Sequence, residues 1–364
     1  MKKIRVCTLD IFFDKDIEFS KIETFGFNSS KYFKSDKINL KNLILNGLNG
    51  EIISRKLRKA EYVDELFRNG NDNYKEFIFS LDRFLEDKKI QVLVCANNII
   101  HPYYLKTIFK NYFKIIGIID DPYVTYSKTI PYLWAFDGAF YISPTISENQ
   151  FTNKFLQDLG FINSTWIPNS PHIDFNKHLQ DLSFTNRKID LIYVGNVSNK
   201  LERLSSLNKT FGKNLELYGR WRFFGFEGLF KDKILSKNKI LRRVKPLSDS
   251  QMIEKYLSTK IGINMHMSNQ IETGNMRMFL LPSLGVMQIC DKAALNSNED
   301  IFKDGKEIIY YDSINQAKEI IKYFLNNENE RIEIAINGFN RFHKEYLFYE
   351  NYEFMILKLL NNAK

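Results

Sequence analysis

Asn275, Arg277 and Asp291 mark the stretch of this chain best equipped for chemistry, Asn-Met-Arg-Met-Phe-Leu-Leu-Pro-Ser-Leu-Gly-Val-Met-Gln-Ile-Cys-Asp. A strand ending in polar residues at 264–267 leads through a loop, 268–274, into a helix-like segment. Gly285 then opens an apolar run that stops at Asp291. The order strand, loop, helix, strand builds an anion site, because the first N–H groups of a helix lack intrahelical partners and the helix dipole is positive there. Arg277, one turn in, carries a planar fork that suits a phosphate. The same residues also read as an ordinary crossover helix with a solvated arginine.

Other strand ends carry useful groups. In Tyr193-Val194-Gly195-Asn196, Gly195 would let the backbone approach a diphosphate and Asn196 could donate to it. Lys200 and Arg203 follow at helical spacing, and either reach the same anion or stay as solvated helix charges. His266 ends another strand, as a phosphate-responsive or a satisfied structural histidine. In the first half, Asp10, the pair Asp120-Asp121 and His101 each stand at or just beyond a strand end. A carboxylate or imidazole so placed can take a proton from a hydroxyl. Adjacent aspartates point differently, so one of the pair can cap the turn at Pro122 while the other acts. The histidines and acidic residues show no HExxH or related ligand spacing, so no metal is expected.

The elements that must position these residues alternate in type. Apolar runs at 4–8, 91–96, 115–119, 139–143 and 166–168 predict strands, and periodic stretches at 54–68 and 74–88 predict helices. A second set of strands is predicted at 189–194, 215–218, 261–265, 286–289 and 308–311. An amphipathic helix carries Ala317, Ile320, Ile321, Phe324 and Leu325, and a last helix runs over 346–360. Such alternation argues for parallel, doubly wound sheets. The polar stretch 169–188 reads as a linker.

At 364 residues the chain exceeds what one core usually fills, so two domains are expected. No signal peptide or membrane-length apolar run is evident, and Cys7, Cys95 and Cys290 are too scattered for a disulfide framework or zinc site. A cytoplasmic protein with reduced cysteines is the expectation. The net charge of +9 favours anionic partners such as nucleotide diphosphates, an anionic membrane face or nucleic acid. The densest basic cluster, 231–245, also reads as a solvated loop and helix face.

The run from Asn275 to Asp291 resembles the C-terminal signature of GT-B glycosyltransferases, closest to the CgeB-like (spore-maturation-type) branch. Asn275, Arg277, Phe279, Gly285 and Asp291 fit that pattern, whereas Leu280 stands where the family carries a glutamate. The segment 301–312 and Asn329, Glu330 and Arg331 are similar to later family features. Asp120-Asp121-Pro122 and Tyr193-Val-Gly-Asn196 are similar to earlier ones. The resemblance implies a GT-B fold, α/β, with two doubly wound Rossmann-like domains facing across a cleft and a C-terminal helix returning to the first domain. The corresponding boundaries are 1–175 for the acceptor side, 176–345 for the nucleotide-sugar side and 346–364 for the returning helix.

It further implies sugar transfer from a nucleotide-activated donor to a hydroxyl acceptor, a surface glycan or glycolipid, and the basic surface would then help docking at the inner membrane face. No cofactor is expected beyond the donor substrate. Gly195, Asn196, Gly219, Arg220, His266, Glu272, Asn275 and Arg277 would hold the nucleotide, with Trp221 and the pair Phe223-Phe224 as a stacking wall or as core. Asp10, His101, Asp120 and Asp121 are the candidate acceptor bases, with Asp121 favoured because Pro122 fixes the turn beside it. Leu280 cannot accept a hydrogen bond from ribose. That departure leaves open a non-catalytic glycan- or nucleotide-binding protein, and the basic charge leaves open a transferase acting on modified bases of nucleic acid.

Overall fold

The computed structural model describes residues 3–10, 16–33, 60–95, 99–118, 129–142, 163–180, 182–197, 200–220, 244–266, 275–292 and 301–363. The chain divides into two compact units. One carries a seven-stranded sheet together with Tyr349–Lys364, and the other takes in Pro168–Phe348.

The first sheet comprises β1 (Ile4–Leu9), β2 (Ile17–Glu18), β3 (Ile22–Phe27), β4 (Val92–Cys95), β5 (Phe113–Ile118), β6 (Gly138–Tyr141) and β7 (Ser164–Trp166), in the order β2-β3-β1-β4-β5-β6-β7. Only β2 pairs antiparallel. Val92-Leu-Val-Cys is buried throughout, as expected of a parallel strand covered on both faces. Helix α1 (Ala60–Arg68) is followed by α2 (Asp72–Asp87), whose Tyr74, Phe77, Ile78, Leu81 and Leu85 form the buried stripe. Asn71 caps α2 by accepting from the Tyr74 N–H at 3.0 Å. Leaving out β2, the strand order reverses between β1 and β4.

Strands β2 and β3 are not evident from the sequence. Ile22-Glu-Thr-Phe-Gly-Phe mixes a charge and a glycine into its apolar residues, and its pairing with β1 comes from non-local register.

The last helix belongs to the first unit. Its Glu353 carboxylate accepts from the Lys21 N–H at 2.6 Å and the Ser20 hydroxyl at 2.7 Å, and the Leu359 carbonyl accepts from the Asn163 amide at 3.0 Å. No described helix is long and apolar enough to cross a membrane.

The second unit holds β8 (Ile189–Asn196), β9 (Leu215–Arg220), β10 (Thr259–Asn264), β11 (Met287–Asp291) and β12 (Ile309–Tyr311), all parallel, in the order β12-β11-β10-β8-β9. In chain order this is a doubly wound sheet that reverses between β8 and β10.

The stretch 169–188 is not a loose linker but part of this unit. The buried Arg187 donates to the carbonyls of Tyr256 (3.1 Å), Thr259 (2.7 Å) and Leu284 (2.9 Å), tying that stretch to the sheet. The division falls at Pro168, with 169–188 on the side of the second unit. All three cysteines are buried free thiols, and burial holds each well above its ordinary pKa.

Candidate functional site

In an open α/β sheet, the connections leaving two strands on either side of an order reversal go to opposite faces, so a crevice forms beyond the strands' carboxyl ends. In the second unit those ends are Val194-Gly195-Asn196 of β8 and Asn264-Met265-His266 after β10. Arg277 spans them. Its Nη1 donates to the Val194 carbonyl at 3.0 Å and its Nη2 to the Met265 carbonyl at 3.2 Å, while the guanidinium lies 4.9 Å from the Tyr193 ring centroid. The side chain is half-buried, and its charge sits at the reversal.

Asn275 caps the helix Met276–Ser283. Its Oδ1 accepts from the Met278 N–H at 3.3 Å, and its Nδ2 donates to Asn264 Oδ1 at 2.9 Å. The side chain thereby fixes the positive end of this helix to the last residue of β10. A helix N-terminus facing a strand end, expected from the sequence, is present here.

Gly195 and Gly219 are register partners in β8 and β9. Both have positive φ, 155° and 125°. A Cβ on Gly195 would meet Arg277 Nη1 at 2.6 Å, and one on Gly219 would meet the Gly195 carbonyl oxygen at 2.0 Å. The two strand ends can close on each other and on Arg277 only as glycines. Asn196 is exposed at the end of β8, its carbonyl accepting from the Tyr193 hydroxyl at 2.9 Å. The backbone of Arg220 ends β9. Its side chain, Glu272, the 268–274 loop, Trp221, Phe223, Phe224 and residues 231–243 of the basic stretch lie outside the described residues.

His266 is fully buried and structurally satisfied on one side. Its Nδ1 lies 2.6 Å from Asp291 Oδ1, and its backbone N–H donates to Oδ2 at 2.8 Å. Arg203 Nη1 donates to Asp291 Oδ2 at 2.7 Å and its Nη2 to the His266 carbonyl. Burial alone would raise the Asp291 carboxyl, but bonds from His266 and Arg203 outweigh it and hold the group below its ordinary value. Cys290 Sγ stands 3.8 Å from His266 Nδ1, so these residues offer three ligand-type atoms within 4.8 Å of one another. The 2.6 Å Nδ1–Oδ1 contact is a hydrogen bond, and Arg203 and the His266 amide occupy the rest of the carboxylate.

Arg203, open in sequence between phosphate ligand and surface charge, is claimed by Asp291, a partner that sequence reasoning misses. The available signal is a carboxylate ending an apolar strand, which must find a cation or N–H donors when buried.

Leu280 is 2% exposed and packs with Ile189, Ile192, Ile253 and Tyr256. A glutamate there would bury its charge in that cluster, so position 280 does not lend itself to binding ribose in this chain.

In the first unit, Asp10 follows β1 with φ 57°, a left-handed conformation that aspartate tolerates better than most residues. Its carboxylate accepts from the Ser29 N–H at 2.6 Å and from the Ser29 hydroxyl. Partial desolvation raises the carboxyl above its ordinary value against the lowering pull of both Ser29 bonds, although the residue as a whole is solvent-exposed. His101 caps the short helix Pro102–Lys106. Its Nδ1 accepts from the Tyr103 N–H at 3.2 Å, its Nε2 lies 3.3 Å from Asp64 Oδ1, and its ring stacks on Phe67 at 3.9 Å. Burial lowers its pKa, opposed by Asp64. With both ring nitrogens engaged, proton abstraction by His101 requires one of these bonds to open. Asp120 and Asp121 lie outside the described residues.

Residues 200–356 match the model of a family described as glycosyl transferase-like. No curated protein matches the chain by sequence. Among solved structures, the sucrose-phosphate synthase of Thermosynechococcus elongatus superposes with a TM-score of 0.56 at 9% identity, over 99% of this chain and 98% of that one. TarM of S. aureus gives 0.52 at 13% identity over 79% of this chain, which spans only 58% of TarM. Anabaena Alr3699/HepE, in complex with UDP and glucose, gives 0.51 at 9% identity over 94% of this chain and 85% of that one. The fold is GT-B, with two Rossmann-like halves.

Proposed function

We propose that this chain is a glycosyltransferase that moves a sugar from a nucleotide-activated donor to a hydroxyl acceptor, with the donor diphosphate at the β8/β10 reversal. The observation that carries this reading is the convergence there of Gly195, the Asn275-capped helix N-terminus and the Arg277 guanidinium. The glycosyl transferase-like match over 200–356 covers all of these except Gly195, and the UDP and glucose bound by Alr3699/HepE support a nucleotide-sugar donor by analogy of fold. Fixed N–H dipoles and a cation at the leaving group stabilise the charge that develops on a departing diphosphate, and such preorganised electrostatic stabilisation commonly supplies more of an enzyme's rate enhancement than any other effect. This positive set can act without a metal, and the proposal is for metal-independent transfer.

The finer reading is a CgeB-like enzyme acting on a surface glycan or glycolipid from the cytoplasmic side. It rests on the Asn275-to-Asp291 signature and on the net charge of +9, which suits an anionic membrane face. An inverting transfer would use Asp10, His101, Asp120 or Asp121 as base. Asp10 has the raised carboxyl that such a role favours, and Asp121 keeps the support of its place in the Asp-Asp-Pro sequence that resembles the family.

The test is nucleoside diphosphate binding to Arg277 variants. Arg277→Ala should weaken binding by about 1.5–3 kcal/mol, the range for losing charge-assisted hydrogen bonds. Arg277→Lys should recover part of the charge but not the two-carbonyl span, and so fall between. Calorimetric titration of UDP, GDP, ADP, CDP and TDP into each folded variant checks this. Equal affinity for the wild type and Arg277→Ala would return Arg277 to a purely structural strap.

A further inference from the structure

A groove of about 390 Å³ in the second unit gathers four cations from two separate elements. Lys303 and Lys306 come from the turn before β12. That turn is closed by Gly305 N–H donating to the Ile308 carbonyl at 2.9 Å, with Gly305 at φ 72°. Asn337, Asn340, Arg341 and Lys344 come from the helix Glu328–Glu345, at i, i+3, i+4 and i+7, which puts all four on one face. Gly338 seats the helix against the turn, since a Cβ there would come within 2.7 Å of the Glu307 carbonyl oxygen.

Two carboxylates also line the groove, and both are engaged. Glu307 accepts from the Lys303 backbone N–H at 2.9 Å, and Glu345 accepts from Arg341 Nη1 at 2.7 Å. Lys344 approaches Glu345 only to 3.9 Å. Among the described residues, neither Lys303 nor Lys306 forms an ion pair. A lysine in the last turn of a helix complements the dipole, which accounts for Lys344. It does not account for two lysines on a neighbouring turn that converge on the same groove, beside two asparagine amides.

We propose that this groove binds a flexible chain bearing several phosphate groups. Spaced ammonium groups suit a series of charges better than one compact anion, and the asparagine amides can donate to the oxygens between them. That the chain is the acceptor, gripped at a second point while its hydroxyl reacts, rests on the transferase reading above; phosphate-chain binding itself does not.

Short-chain inorganic polyphosphate is the probe, titrated into the full-length protein and into Lys303→Gln/Lys306→Gln/Lys344→Gln. The triple variant should bind polyphosphate at least about ten-fold more weakly, with a log–log salt slope shallower by about 2, from three contacts at about 0.7 each. Its affinity for the best nucleoside diphosphate should be unchanged, which separates failure here from failure of the donor site. Unaltered polyphosphate affinity in the folded variant would overturn the proposal. So would equal binding of poly-glutamate by the wild type, since the groove would then read charge alone.

Discussion

Asp291→Ala should destabilise the second unit by about 3–5 kcal/mol, the range for removing one partner from a buried ion pair. Three donors lose their acceptor together: Arg203 Nη1, the His266 ring and the His266 backbone N–H. Arg203 is left with a partly buried charge beside the His266 carbonyl. Asp291→Asn keeps one acceptor oxygen and should fall between the wild type and the alanine variant.

The pH dependence has a definite sign. The folded-state pKa of Asp291 is lowered, so its contribution is complete above the ordinary carboxylate value of about 3.9 and is lost as pH falls through the folded value. Urea unfolding midpoints of wild type and Asp291→Asn should therefore converge below about pH 4. A gap that widens toward acid would contradict the assigned network.

The other large effect is expected at Gly219. A Cβ there would lie 2.0 Å from the Gly195 carbonyl oxygen and 2.7 Å from its carbonyl carbon and nitrogen, all backbone atoms of a paired strand. No rotamer change can relieve that overlap, and φ of 125° adds strain of its own. Gly219→Ala should cost about 3 kcal/mol or more, since a sparsely populated backbone conformation alone costs about 1–3 kcal/mol. Its melting temperature should fall well below that of Gly195→Ala. At Gly195 the added carbon meets the end of the Arg277 side chain, at 2.6 Å, and that side chain can move. Gly195→Ala should therefore stay folded while displacing Arg277 and weakening nucleotide binding. Calorimetric melting of both variants decides the point, and equal losses would show that the strand ends are not pinched as described.

These contrasts mark the limit of what sequence can disclose. Runs such as Val92–Cys95 and Ile261–Ile263 announce buried parallel strands because both faces must be apolar, and their alternation with helices points to the two sheets. Arg277 is legible as a fork beside a helix start. Its carbonyl partners are not, since Val194 lies 83 residues away and the pairing depends on which strands meet at the reversal. Arg203 and Asp291, 88 residues apart, are hidden for the same reason. Leu280 looks like a missing functional group when set against the family pattern. Burial among Ile192 and Tyr256 makes it core instead, a distinction that spacing along one helix does not carry.

The most direct measurement is backbone hydrogen exchange of the intact protein with and without the nucleoside diphosphate that binds best among UDP, GDP, ADP, CDP and TDP. Ligand at the β8/β10 reversal should slow exchange in peptides covering 193–200 and 264–279, where Gly195, Asn275 and Arg277 converge. Protection confined to the first unit, around β1 and β4, or no binding by any of the five, would contradict it.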